Sequence, residues 1–152
     1  MSHGSDVSQL QTTATYDAET KEFVVNTPNI GATKFWPGGL GKTANTCVLY
    51  ARLISKGKDH GVQAFIVPIR DYETHMPLPG IQIADVGPKL GFKNSDQGMM
   101  SFKNVRYPKS SLLCKYVSID DDGTFKEGTS HSKKLMYGGM LNLRSLIIFI
   151  SH

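Results

Sequence analysis

Thr46-Cys47-Val48-Leu49-Tyr50-Ala51-Arg52-Leu53-Ile54 is followed, beyond Lys56-Gly57-Lys58-Asp59-His60-Gly61, by Ala64-Phe65-Ile66-Val67-Pro68-Ile69-Arg70. The two flanking runs are rich in β-branched and aromatic residues and the connection is rich in glycine and charge, so the stretch predicts an antiparallel hairpin. Pro68 has no N–H to donate, which places its strand at a sheet edge or a bulge. The same texture continues outward, with β-rich runs at 12–16, 22–26, 33–36, 81–86 and 99–105 separated by turn residues. Asp17-Ala18-Glu19-Thr20-Lys21 between the first two is a hairpin-sized connection. Short strands at this spacing predict a mainly β fold, a β-barrel or sandwich. Gly57, Gly61, Gly80, Gly87, Gly91 and Gly98 recur at no fixed period, which excludes a repeat array.

Beyond the β-rich part the pattern changes twice. Asp120-Asp121-Asp122-Gly123 reads as an exposed acidic loop, and no glutamate closes a twelve-residue calcium loop from any of these aspartates. From Ser130 onward Leu135, Met136, Met140, Leu141, Leu143, Ile147 and Ile148 fall at helical intervals, and Ser130 or Ser132 offers an N-cap. Such a helix has almost nothing left in the chain to pack against, so it reads as the start of a helical region. The expected organisation is a lead-in segment over 1–11, a β-domain over 12–115, a loop over 116–129 and a short C-terminal helix within 130–152. An uncovered apolar face on that helix predicts self-association through residues 135–150.

Composition narrows the function classes. The chain has 152 residues, one ordinary domain's worth, and a formal net charge of +4 spread over short stretches such as Lys56-Gly57-Lys58 and Lys133-Lys134. No basic run is interleaved with aromatics, which argues against a nucleic-acid partner and for a solvated surface. Cys47 and Cys114 stand far apart in apolar surroundings and read as buried, reduced thiols of an intracellular protein. The histidines at 3, 60, 75, 131 and 152 lack metal-ligand spacing, so no zinc site is expected. The opening residues show no charged and apolar leader pattern, so no signal peptide is expected, and the apolar run Leu146 to Ile150 is too short for a membrane span.

A motif carries its chemistry only in the structural context that chemistry requires. Gly41-Lys42-Thr43 matches the end of a phosphate-binding loop, but the first glycine of that motif falls on Trp36 and the following segment is strand-like. A phosphate loop must open a helix whose amino end receives the anion, so nucleotide hydrolysis is excluded. Trp36-Pro37-Gly38-Gly39 admits two readings: a flat-ligand edge, where glycine lets backbone approach a ring, or a buried tryptophan closing the end of a barrel. Texture alone favours the second. Carboxylates show no paired spacing and no serine sits in a nucleophile elbow, so no catalytic residue is expected in this chain.

The order of the motifs goes further. Gly4-Ser5-Asp6-Val7, Thr12-Thr13-Ala14-Thr15-Tyr16-Asp17, Lys34-Phe35-Trp36-Pro37-Gly38-Gly39-Leu40-Gly41-Lys42-Thr43, Phe65-Ile66-Val67-Pro68-Ile69-Arg70, Pro77-Leu78-Pro79-Gly80-Ile81, Gly87-Pro88-Lys89-Leu90-Gly91 and Val105-Arg106-Tyr107-Pro108 together resemble peroxisomal acyl-CoA oxidases. The resemblance implies the central β-domain of an acyl-CoA dehydrogenase/oxidase fold, with helical domains on either side as partners, FAD as cofactor, fatty acyl-CoA as substrate and a peroxisomal address. It implies that Trp36 and Pro37 wall the isoalloxazine, that the Gly38 and Gly39 backbone lies against its edge, and that Ser5 contacts acyl-CoA. The family's flavin-contacting Thr-Glu would precede Met1, and its proton-abstracting glutamate belongs to the carboxyl helical region. The segment alone is therefore expected to be inactive. The dehydrogenases of the superfamily usually carry threonine or serine where Gly38 stands, so this string favours an oxidase over a dehydrogenase. A non-catalytic truncated or interaction product is the remaining alternative.

Overall fold

A computed structural model describes Met1, residues 6–128 and Gly138. The residues expected to form a C-terminal helix and to self-associate lie outside the described part, Gly138 excepted, and so does Ser5. The described residues form ten strands: β1 (Thr13–Asp17), β2 (Glu22–Asn26), β3 (Lys34–Gly38), β4 (Thr46–Ser55), β5 (Lys58–Pro68), β6 (Ile81–Asp85), β7 (Gln97–Phe102), β8 (Val105–Pro108), β9 (Val117–Ile119) and β10 (Phe125–Glu127). They form a five-stranded sheet in the order β5-β4-β1-β2-β8, a three-stranded sheet in the order β3-β7-β6 and the hairpin β9-β10. The small sheet is open, and the chain beyond β8 returns to the β5 edge of the large one only through a bridge between Phe65 and Leu112 and a bond from Leu113 N to the Ala64 carbonyl at 2.9 Å. The fold is a sandwich of open sheets rather than a closed barrel.

The hairpin that decides the fold is longer than its sequence suggests. Lys56 and Gly57 both adopt positive φ, 50° and 72°, and make a two-residue turn that brings Ser55 opposite Lys58. Turns of this mirror-image kind match the twist of the flanking strands, so pairing begins at once. The expected six-residue connection is therefore mostly strand, with a register shift near Arg52 and Ile54 and a left-handed Gly61 at φ 80°. Pro68 ends β5, which is an edge strand, as its missing donor requires.

Two other expectations are corrected. The run at 99–105 is two strands: Asn104, at φ 50°, turns the chain after Phe102, and the next residues leave the small sheet to pair with β2 of the large one. The segment 116–129 carries a β-hairpin, with Asp120–Gly123 as its turn. Its carboxylates tie the hairpin to neighbouring turns, since Asp121 pairs with Lys21 and Lys109 at 2.7 Å and Asp122 with Lys56 at 3.1 Å.

Alternation along the strands places Phe23, Val25, Leu53, Phe65 and Val67 on the inner face of the large sheet, against Ile81, Met100 and Phe102 from the small one. Phe65 meets Phe23 edge-on at 5.0 Å between ring centroids. Truncating a fully buried phenylalanine in such a core costs about 3–5 kcal/mol. This core fixes the two sheets against each other and thereby the cleft between their neighbouring strands.

Candidate functional site

The site is built on a defect in β3. Phe35 lies opposite Met99 and Gly38 opposite Gln97, so Trp36 and Pro37 together face the single residue Gly98. One extra residue makes a β-bulge, which turns side chains away from the ladder. Pro37 fits there because the interrupted ladder asks no N–H of it. Trp36 takes φ 83°, a region costly for a residue with a Cβ, and the residue is 45% exposed, its ring beside that of Phe35, 6.1 Å away between centroids. The buried-tryptophan reading is thereby overturned.

Gly38 is exposed, and a Cβ built on it would meet nothing within 4 Å. Gly39, at φ 74°, begins a tight loop that ends at Ala44, whose N–H bonds to the Gly39 carbonyl at 2.7 Å. Asp96 sits inside the loop: its Oδ2 accepts from Lys42 N, Thr43 N and Thr43 Oγ1, each at 3.0 Å. Burial works against ionisation of Asp96, and these hydrogen bonds outweigh it, holding the carboxyl below its ordinary range. Lys42 is exposed and pairs with Asp85, and the chain passes from the loop into β4. The structure thus provides no helix for a phosphate loop to open.

Because β3 is an edge strand, its outer side is left facing β4 of the other sheet. Between them runs a mainly apolar groove of about 780 Å³, lined by Lys34, Phe35, Pro37 and Gly38 on one side and residues from Thr46 to Tyr50 on the other. Lys34 crosses it and donates from Nζ to the Tyr50 carbonyl at 2.8 Å. Burial lowers the Lys34 ammonium to about 7, since the charged form loses hydration in the groove. Composition alone concealed this lysine, which stands two residues before Trp36. Cys47 lines the same groove half-buried, its thiol pushed up to about 11 by burial, while Cys114 is exposed, contrary to expectation.

The structure therefore brings Trp36, Pro37, Gly38 and Gly39 together as one exposed edge beside a groove. Among the described residues no group of three or more His, Cys, Asp or Glu is placed to hold a metal, and no helix is long and apolar enough to cross a membrane. The described carboxylates shifted most strongly, Asp121 and Asp122, lie on the surface far in sequence from this edge and are held down chiefly by lysine and threonine hydrogen bonds.

A mainly β domain with an exposed Trp-Pro-Gly-Gly bulge defines a class. The profile of the acyl-CoA dehydrogenase middle domain matches residues 1–105, and the chain belongs to that family. Its relatives are more particular still. The chain is 48% identical over 148 residues to the peroxisomal acyl-coenzyme A oxidase 1 of Homo sapiens, covering 97% of this chain and 22% of the human protein. Acyl-coenzyme A oxidase acox-1.1 of Caenorhabditis elegans is 45% identical over the same length. Among solved structures, Arabidopsis thaliana acyl-CoA oxidase 1 superposes with a TM-score of 0.88 at 43% identity, covering 97% of this chain and 23% of that one. Acyl-CoA oxidase-1 of Caenorhabditis elegans, in a structure complexed with FAD and ATP, gives a TM-score of 0.81 at 47% identity, covering 84% and 19%. The chain thus spans about a fifth of the length of these relatives.

Proposed function

We propose that the chain is the central β-domain, over residues 12–115, of a peroxisomal FAD-dependent acyl-CoA oxidase that converts fatty acyl-CoA to trans-2-enoyl-CoA in fatty-acid β-oxidation. The observation that carries this reading is the exposed Trp36 to Gly39 edge, in a chain nearly half identical to peroxisomal acyl-CoA oxidases along almost its whole length. When bound, FAD would accept the β-hydride of the substrate and pass its electrons to oxygen, giving hydrogen peroxide.

The residues present fit a flavin in three respects. Trp36 and Pro37 offer flat apolar surface, and Trp36 is exposed without a covering ring on its outer side among the described residues. Gly38 leaves the space a Cβ would fill, which lets a ring edge come to hydrogen-bond distance of the backbone. The adjoining groove sets mainly apolar lining beside one flank of that edge. Trp36 and Pro37 then orient the ring, Gly38 and Gly39 admit its edge, and Ser5 contacts the acyl-CoA.

These residues supply one wall of a site that needs several. Positioning of a proton acceptor and a hydride acceptor on one substrate is most of the catalysis, and on this reading neither acceptor comes from the residues of this chain. Turnover is proposed for the longer protein, with the helical domains completing the crevice. The test is oxygen consumption and peroxide formation by the full-length protein with fatty acyl-CoA. Enoyl-CoA formed only with an added electron acceptor would place it among the dehydrogenases instead.

A further inference from the structure

The Trp36 to Gly39 edge holds a conformation that Trp36 disfavours. Trp36 at φ 83° and Gly39 at φ 74° flank a proline and a glycine in a bulge on an edge strand. Strained backbone of this kind persists only where its surroundings over-determine it. The surroundings are two charged side chains acting on opposite polar sides of one six-residue loop.

Asp96 holds the donors. Besides the three bonds to its Oδ2, its carbonyl accepts from Gly39 N at 2.7 Å. Arg70 holds the acceptors: only 4% exposed, it donates to the carbonyls of Ala44 at 2.6 Å, Leu40 at 3.0 Å and Gly41 at 2.8 Å. No carboxylate lies within ion-pair distance of Arg70 among the described residues. A buried guanidinium on three carbonyls is a costly way to close a loop that apolar packing could cover, so its value lies in geometry. Gly41 and Gly98 permit the clamp, because a Cβ on Gly98 would collide with the Gly41 backbone.

We propose that Asp96 and Arg70 are positioning residues, a two-sided clamp that fixes the Gly39 to Ala44 loop and through it presents Trp36 and Gly38 to the flavin. The inference rests on the flavin reading of that edge. Neither residue touches the ligand face. Each acts on the ligand through the loop.

The clamp is tested in two settings. In the 152-residue chain, hydrogen exchange at Gly39, Lys42 and Thr43 reports the loop, and emission of Trp36, the only tryptophan, reports the edge. Asp96→Ala should raise exchange at Lys42 and Thr43 by about tenfold or more, the loss expected for hydrogen bonds to a charged acceptor. Asp96→Asn keeps one carbonyl acceptor and should lie between. In the full-length protein Asp96→Ala and Arg70→Met should weaken FAD retention by about tenfold and shift the bound-flavin spectrum. Thr43→Val removes one clamp bond and should weaken retention measurably, whereas Thr43→Ser restores the hydroxyl and should restore flavin. This pair decides the matter if the Asp96 and Arg70 variants fail to fold. Flavin lost in Gly38→Val but unchanged in Asp96→Ala and Thr43→Val would overturn the clamp alone. Normal flavin content in Gly38→Val as well would overturn the flavin reading and the clamp's function with it.

Discussion

Gly98→Ala should destabilise the chain far more than Gly38→Ala, although both glycines belong to the same bulge. A Cβ on Gly98 would overlap the Gly41 amide and come within 2.7 Å of Gly41 Cα and of the Leu40 carbonyl carbon. These are backbone atoms held by Arg70 and Asp96, so no flexible side chain can swing aside. Either β7 or the loop must move. Overpacking of this kind costs about 1–3 kcal/mol. Displacing the loop also puts at risk the Gly39 N to Asp96 O bond of 2.7 Å and part of the Asp96 carboxylate set, at about 1 kcal/mol for each bond lost. The expected total is about 3 kcal/mol, or a melting temperature lower by about 6–12 °C for a domain of this size. At Gly38 the space is open and φ is not positive, so alanine should fold normally and stabilise by about 0.4–1 kcal/mol through the unfolded chain. Urea titrations of the three proteins, followed by Trp36 fluorescence and by circular dichroism, measure both differences. A Gly98→Ala variant within about 0.5 kcal/mol of the parent would refute the close-packed loop on which the site's geometry depends.

Other outcomes follow from the same structure. The 152-residue chain should bind FAD weakly or not at all in a fluorescence titration, because one wall leaves much of the ligand in water; tight stoichiometric binding would contradict the proposed site. In the full-length protein Trp36→Ala should loosen flavin and Trp36→Phe, which keeps a flat ring, should do so less, as read from flavin content after gel filtration. Lys34 is held down to about 7 in the folded chain, against an ordinary 10.5. Between those values the unfolded chain binds more protons, so the lysine makes stability rise with pH from about 7 to 10.5, and its cost is complete below 7. Lys34→Met should therefore gain most in stability at pH 6 and gain progressively less towards pH 9, by difference in urea midpoint. Cys47, at about 11, opposes the trend only above its ordinary 9.0. Alkylation near pH 8 should modify exposed Cys114 well before half-buried Cys47, because the thiolate is the nucleophile; equal rates by mass spectrometry would contradict the burial of Cys47. Self-association through residues 135–150 should raise the sedimentation coefficient with concentration, and a strictly monomeric chain would count against it.

Much of this was legible in the sequence for local reasons. Alternation along 46–54 and 63–70 encodes two half-buried strands whatever the rest of the chain does, and the proline at 68 encodes an edge, since both depend on single residues and nearest neighbours. The order of short motifs identified the family, and Trp36-Pro37-Gly38-Gly39 marked the candidate site. Texture nevertheless buried Trp36, because a lone tryptophan at a strand end is more often core than edge. Its exposure depends on a register shift against β7, sixty residues away in sequence. The same holds for the break after Phe102: an apolar run shows no sign that its halves serve different sheets until each finds its partner strand.

What the sequence determined by itself is the mainly β character, the family and the string proposed as the ligand edge, all of which are written in residue types and their order. What only the tertiary structure decided is how that edge is held. Asp96 belongs to no motif in the sequence and Arg70 only ends the run from Ala64, each twenty-six residues or more from the loop it grips. Their hydrogen bonds exist because two sheets pack on a common core and bring β7 and the end of β5 to either side of Gly39 to Ala44. Hydrogen bonding acts over about 3 Å. A relation set at that range between residues so distant along the chain is fixed by the packing and cannot be read from spacing.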